Sequence, residues 1–307
     1  MPHNQYDRFQ GCWWGAIVAQ SSIERFSIEP QISNYSQPWL AQRQKLATML
    51  LERELSVLNL QKLADLPPSN TALQHNSSLL SFLPSIVFFP DDPIVGLRKM
   101  LDWQNTADEQ AKIEISQYIL VWEYLLTTVL NDRFKPNAHK RVIEEVIKRH
   151  PQPELLAKLT LVSEAIKNGS SLNLVVKQLS TMKEHESSAI ALAWYCFATT
   201  PQDFKLSVRR AIRVPSKLAW LVTALTGTLS GAYNGMAEIS AYSRQDMQNQ
   251  KELEQHLCEK LFADWLGILN YDSHDLAHNP NLNAIALTRI IQPRQSLKII
   301  SQVSNLK

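Results

Sequence analysis

Alternation of apolar and polar residues, the mark of a half-buried strand, is almost missing from this 307-residue chain. The apolar run at residues 79–90 could be a strand on its own, but nothing pairs with it and Pro84 and Pro90 cut it. A sheet architecture is therefore set aside and an all-α one expected, with residues 79–90 as short helix or buried loop. Charge of one sign is missing too. The net charge is +2, too small to argue for nucleic acid or an anionic membrane. Cysteine is scarce: Cys12, Cys196 and Cys258 are far apart, odd in number and set among apolar neighbours. That argues against disulfides and zinc, and for reduced, buried thiols in a cytoplasmic protein. The amino terminus has no basic-apolar-small pattern of a secretory leader. The longest apolar run, residues 218–232, is interrupted by three threonines and Ser230, and falls short of a bilayer-crossing helix of about 20 residues. No internal repeat or low-complexity tract divides the chain, so a single domain over residues 1–307 is expected.

What is present is helical periodicity. Residues 189–198 are apolar on nearly every face, as in a buried helix. Thr200 as N-cap, Pro201 in the first helical position and Asp203 three residues after the cap read as the start of the next helix. That helix puts Phe204, Val208, Ala211 and Ile212 on one face and Lys205, Arg209 and Arg213 off it. The segment after it carries Gly227, Gly231 and Gly235 at four-residue spacing, in register with Thr223. A glycine inside a helix costs roughly 1 kcal/mol relative to alanine, so the stripe needs a reason. Close packing of another helix is the simpler one, and the wall of a pocket is the other.

Further helices are expected from residue 37 through Leu40, Leu46, Met49, Leu50, Leu55, Leu58 and Leu63, as one long segment or two abutting ones stopped at Pro67-Pro68, and over residues 108–130. Residues 138–149 form a charged helix whose basic clusters are broken by Glu144 and Glu145, a solvated face and not a nucleic-acid patch. Residues 154–168 close with Gly169, and residues 249–269 set Leu253, Leu257, Leu261 and Trp265 every four residues.

Three clusters have the residue types of a catalytic or metal site. Asp91-Asp92-Pro93 offers two carboxylates, though an N-cap followed by proline explains it better. Glu184-His185-Glu186 holds acid-base types, but consecutive residues point in different directions and a helix N-terminus favours carboxylates anyway. His274 and His278 could grip a metal if helical, yet Asn270 before them and Asn279-Pro280-Asn281 after them mark a polar loop. The tail, residues 284–307, is apolar with Arg289, Arg294 and Lys298 and no acid. It reads as a segment packed on the body, or as a basic amphipathic arm.

Two pieces carry a family resemblance. Residues 8–19, RFQGCWWGAIVA, are similar to an opening helix of the form RxxGxLxGxAxGDA. The alanine-rich helix, the Asp203-Phe204 and Ser207-Val208 pairs ahead of Ala211-Ile212, and the run Ala224 to Gly235 resemble the C-terminal signature of the ADP-ribosylglycohydrolase family, the dinitrogenase-reductase-activating glycohydrolase and crystallin J1 group. The likeness spans about residues 7–270 and leaves residues 271–307 as an extension. It implies a compact orthogonal helical bundle. It also implies two divalent cations such as magnesium, held by aspartates in an early Thr-Asp-Asp-Thr and a later Gly-Asp-x-Asp-Thr motif.

The resemblance fails at those aspartates. Counting back from Gly227, the later motif falls on Leu218, Trp220 and Leu221, and the aspartate of the opening helix corresponds to Gln20. The early motif falls on Tyr35-Ser36-Gln37-Pro38-Trp39, which has no carboxylate, and Asn105-Thr106 lacks the histidine that follows in active relatives. The expectation is a degenerate member with no metal, no cofactor and no catalytic residue, acting as a binding or regulatory protein. Its remnant cleft would be formed by Gln20, Leu218, Trp220, Thr223, Gly227 and Gly231 and would take an ADP-ribosyl group or adenine nucleotide, or a protein partner would bind elsewhere. Two alternatives remain: a metal-independent hydrolase of ADP-ribosyl groups with Glu184, Glu186, Asp91 or Asp92 as base, or an interaction scaffold whose cleft Leu218 and Trp220 close.

Overall fold

The computed structural model describes residues 5–26, 38–51, 79–88, 109–131, 134–149, 153–182, 186–214, 218–242 and 251–266. Every regular element among them is helical. In chain order they are α1 (Gln5–Phe26), α2 (Pro38–Leu51), α3 (Leu83–Phe88), α4 (Glu109–Leu130), a 3-10 turn (Pro136–Ala138), α5 (His139–Arg149), α6 (Pro153–Lys167), α7 (Leu172–Ser180), α8 (Glu186–Ala198), α9 (Phe204–Ile212), α10 (Ala219–Tyr242) and α11 (Lys251–Trp265). The chain is an all-α compact helical bundle. Among the described residues no helix is long and apolar enough to cross a membrane.

The axis of the bundle is the pair α1 and α10, and the glycine stripe explains it. Gly11 of α1 lies against Gly231 of α10, and Gly15 lies against Gly227, so the two helices run antiparallel with their backbones touching. A Cβ built on Gly11 would stand 2.2 Å from the Gly231 carbonyl oxygen, and one built on Gly231 would stand 2.0 Å from that of Gly11. The same holds one turn on, where Cβ atoms on Gly15 and Gly227 would meet the opposing carbonyl oxygens at 2.1 and 2.2 Å. Close packing is the reason for the stripe at Gly227 and Gly231. Gly235 has a different task. Its φ of 73° and ψ of −176° break α10, in a region that only glycine enters readily. The Asp7 carboxylate then accepts the Met236 N–H at 2.9 Å and caps the helical stretch that resumes. One register thus runs from Asp7 to Ala19 along α1 and from Gly235 back to Thr223 along α10.

Helix α8 packs on α10 and α6, and every one of its residues is buried, as its apolar composition requires. Phe134, Trp194, Phe197 and Tyr233 form an aromatic cluster where its end meets α10, with ring centroids 5.0–5.9 Å apart. The helix that follows starts later than expected. Asp203, not Thr200, is the N-cap of α9, and its carboxylate accepts the Leu206 N–H at 2.8 Å. Residues 200–203 turn first, with the Asp203 N–H bonded to the Thr200 carbonyl at 3.2 Å. The Thr200 hydroxyl instead donates back to Cys196 at 3.1 Å. A carboxylate at the next helix start is the better acceptor for orphan N–H groups.

Gly169 ends α6 with φ 62°. Its N–H bonds the Ile166 carbonyl and that of Ser170 bonds Ala165, the paired closure of a helix by a left-handed residue. In α11 the expected stripe is shifted. Leu253 is 52% exposed while Glu254 is fully buried beside Leu257, Cys258, Leu261 and Phe262. The partner of Glu254 explains the shift. All three cysteines are free and buried. Burial holds the thiols of Cys12 and Cys258 well above their ordinary range and pushes Cys196 up to about 12, so all three remain unreactive thiols.

Candidate functional site

Near the positions that the resemblance marks for a metal centre, α1, α2 and α11 build a buried charged cluster. Arg43 of α2 and Glu254 of α11 form an ion pair with both side chains wholly out of solvent. The Trp13 indole N–H donates to the same carboxylate at 2.7 Å, and the Gln44 amide donates to its other oxygen at 2.7 Å. Arg43 also donates to the Trp13 carbonyl at 3.1 Å. Its guanidinium lies 4.4 Å over the Trp13 ring and 5.1 Å from the Trp39 ring, sandwiched between two aromatic faces. Removing both charges from water costs several kcal/mol per ion, which only a fully hydrogen-bonded arrangement offsets. Here the carboxylate has three donors, and within the cluster the Arg43 Nε alone lacks a partner among the described residues. Burial lowers the Arg43 pKa and the charge of Glu254 opposes that shift.

Trp39 connects this cluster to the position of the missing aspartate. Its indole N–H donates to the Gln20 side-chain oxygen at 2.7 Å. That oxygen is therefore engaged. Ala19 packs where a Cβ on Gly227 would reach, so α1 brings Gln20 to the end of α10 that carries Trp220 and Thr223. There Leu218, Trp220 and Leu221 are buried and supply no oxygen ligand. Thr223 is fully buried, and neither its hydroxyl nor the Trp220 indole N–H has a partner among the described residues. By contrast, Thr226 and Thr228 donate back to Val222 and Ala224 at 2.7 and 3.0 Å. A pair of divalent cations needs several anionic oxygens. The donor set of Gln20, Leu218, Trp220, Leu221 and Thr223 does not fit one. Among the described residues no three His, Cys, Asp or Glu side chains gather as a metal-holding group.

Of the sequence-derived candidates, Glu186 is the one acid in the described residues. It opens α8, is 4% exposed, and has one oxygen without a partner among the described residues. Burial raises its pKa to about 8, so near neutrality it favours the uncharged form and adds little to the α8 dipole. The native state therefore holds this proton more tightly than the unfolded chain. The contribution is complete below the ordinary carboxylate range and is lost as pH rises through about 8. Glu186→Gln is expected to flatten this loss, leaving the variant on the order of 1–3 kcal/mol more stable than the parent at pH 9 relative to their difference at pH 4.5. Urea unfolding of both proteins at the two pH values reads it; parallel pH dependences would overturn the assignment. Asp91, Asp92, Glu184, His274, His278, Asn105-Thr106 and the 284–307 tail lie outside the described residues.

A second buried charge sits next to Glu186. Lys158 of α6 is fully buried and donates to Glu154 at 2.7 Å and to the Ser187 hydroxyl at 2.8 Å. Ser187 in turn donates to Glu154 at 3.2 Å, which ties α6 to the start of α8. Neither this group nor Arg43-Glu254 was among the expected site residues. The available signal was a charged residue at an apolar position: Lys158 between Leu155 and Val162, and Glu254 ahead of Leu257 and Leu261.

Comparison with known proteins fits this geometry. The fold defines a helical glycohydrolase-like bundle, and residues 17–268 match the ADP-ribosylglycohydrolase family model. The chain belongs to that family. A solved chain described as "ADP-ribosylglycohydrolase-related protein complex" superposes with a TM-score of 0.56 at 17% identity, covering 84% of this chain and 98% of that one. At that identity the likeness is one of fold. Comparison with curated protein sequences finds no match.

Proposed function

We propose that this chain is a family member without glycohydrolase chemistry that works by binding a protein partner. The observation that carries the reading is Trp39, hydrogen-bonded to Gln20 and stacked beside Arg43 where an aspartate-lined cation centre would be expected. A cationic guanidinium and an indole next to that position oppose the entry of a second positive charge. Burial of Leu218 and Trp220 supports a cleft closed by side chains. The solved relative of this fold is described as part of a complex, which is consistent with a binding role. A second reading is favoured by the unpartnered Thr223 hydroxyl and Trp220 indole N–H. In that reading the same end of α10 takes an adenine nucleotide or ADP-ribosyl group without metal.

Calorimetric titration of chelator-treated protein with ADP-ribose, with and without magnesium, tests both. The expected result is no heat and no thermal stabilisation in either condition. Heat that grows with magnesium would overturn the non-hydrolytic reading and call for hydrolase assays. Binding that ignores magnesium would select the nucleotide pocket.

A further inference from the structure

Asparagine followed by glycine occurs twice in the sequence, at Asn168-Gly169 and Asn234-Gly235. The pair has a chemistry of its own. With no Cβ in the way, the glycine nitrogen can approach the preceding side-chain amide closely. Both glycines have positive φ, 62° at Gly169 and 73° at Gly235. Their surroundings are opposite. Asn234 is 5% exposed, and its amide donates to the Pro201 carbonyl at 2.8 Å. It also donates to the Ser230 carbonyl at 2.9 Å and to the Ser230 hydroxyl at 3.1 Å. A carboxamide held by three acceptors is not free to turn onto its own backbone, and bulk water is excluded from it.

Asn168 stands at the surface, directly after the last residue of α6. Asn168 and Gly169 are both exposed, and the Asn168 side chain has no hydrogen bond among the described residues. Nothing lies within 4 Å of a Cβ built on Gly169, so the space around the turn is open. The Asn168 N–H reaches the Glu164 carbonyl at 2.9 Å, whereas the Gly169 N–H meets that of Ile166 only at 3.2 Å. A solvated helix end of this kind opens at a far lower free energy than a buried helix such as α10. Opening releases the Gly169 nitrogen beside a carboxamide that nothing else holds.

We infer that Asn168 is a site of spontaneous deamidation, a covalent modification that water alone completes and that loosens the junction of α6 and α7. The Gly169 backbone nitrogen attacks the Asn168 Cγ, its proton passes to the side-chain amide, and that amide leaves as ammonia. The product is a five-membered succinimide. One water then opens the ring at either carbonyl, giving an aspartyl residue or an isoaspartyl one whose chain runs through the side chain. Both products place a carboxylate one turn from Glu164, at the helix end where an anion opposes the dipole. The isoaspartyl form also inserts a methylene ahead of the two bonds that close α6, Gly169 N–H to Ile166 and Ser170 N–H to Ala165. The next residues anchor α7. The Ser170 carbonyl accepts the Tyr195 hydroxyl at 2.5 Å, and the Ser171 side chain accepts the Leu174 N–H at 3.4 Å. A shift at position 168 is thus passed to the cap of α7 and to its tie to α8.

The test holds the full chain at physiological temperature and mildly alkaline pH, with a second sample unfolded in urea. Peptide mapping by mass spectrometry locates the conversion, and methyl transfer from S-adenosylmethionine by an isoaspartyl methyltransferase reports the isoaspartyl form. In the folded protein Asn168 is expected to convert at least about tenfold faster than Asn234, and in urea the two are expected to convert at similar rates. Asn168→Ser is expected to remove the methyl label from the tryptic peptide that begins after Lys167. The converted fraction, separated by ion exchange, is expected to unfold about 2 °C or more below the parent. Asn168→Asp adds the charge without the methylene and is expected to fall between them. Asn168 left intact in the folded protein while Asn234 converts in urea, or equal rates at the two sites in the folded protein, would overturn the site. An unchanged midpoint of the converted fraction would overturn its effect on the α6–α7 junction.

Discussion

Gly231→Ala is expected to destabilise the protein by about 3 kcal/mol or more, at the upper end of what overpacking costs. The added Cβ would sit 2.0 Å from the Gly11 carbonyl oxygen and 2.7 Å from its carbonyl carbon. Both are backbone atoms of α1, so no rotamer change relieves the contact; one helix must move away from the other. That separation propagates, because Gly15 and Gly227 make the reciprocal contact one turn along the same pair. Gly169→Ala is the matched control. There φ is +62° but nothing lies within 4 Å of the new Cβ, so only the left-handed backbone cost of about 1–2 kcal/mol applies. The thermal midpoint of Gly231→Ala is expected to fall well below that of Gly169→Ala, by about 4 °C or more. Equal midpoints would mean that α1 and α10 slide apart without loss and that the glycine contact is not the axis of the fold. Loss of soluble protein with Gly231→Ala, while Gly169→Ala stays folded, would be the extreme form of the expected result.

Much of this architecture is legible in the sequence because helical periodicity reports burial directly. The fully apolar run of α8, the four-residue glycine spacing and the glycine that ends α6 all follow from local rules that the tertiary structure respects. The glycine stripe also carries its own explanation, since backbone contact is what removing a Cβ permits. Where local reading fails, a long-range partner has intervened. Glu254 lies in α11 at a position that the leucine pattern assigns to solvent, and only Arg43, 211 residues away in the chain, makes its burial tolerable. Gly235 looks like one more member of the stripe until Asp7 supplies a new cap for Met236 from a different helix. The candidate site is legible in the negative: the absence of carboxylates at Gln20, Leu218 and Trp220 can be read off the chain. What replaces them cannot, because the Trp39-Gln20 bond and the Arg43 sandwich are products of packing between α1, α2 and α11.

The Arg43-Glu254 pair gives the second large effect. Arg43→Leu is expected to cost about 3–5 kcal/mol, since it leaves a carboxylate with 0% side-chain exposure among apolar neighbours and without its counter-ion. Trp13 and Gln44 would still donate to Glu254, which softens the loss but does not neutralise the charge. Glu254→Leu is expected to be comparably harmful, because the guanidinium is then held between Trp13 and Trp39 with the Trp13 carbonyl as its acceptor. Combining Arg43→Met with Glu254→Leu removes both charges and leaves apolar volume in their place, so the double variant is expected to cost less than either single change. Urea unfolding of the parent and three variants completes the cycle. Additive losses would mean that the two residues act independently and that the pair does not brace α2 against α11. A non-additive cycle would identify the charge pair as a brace between α2 and α11. In that case stability is expected to be indifferent to chelators in the parent and in every variant, and a chelator-dependent midpoint would overturn a brace made of side chains alone.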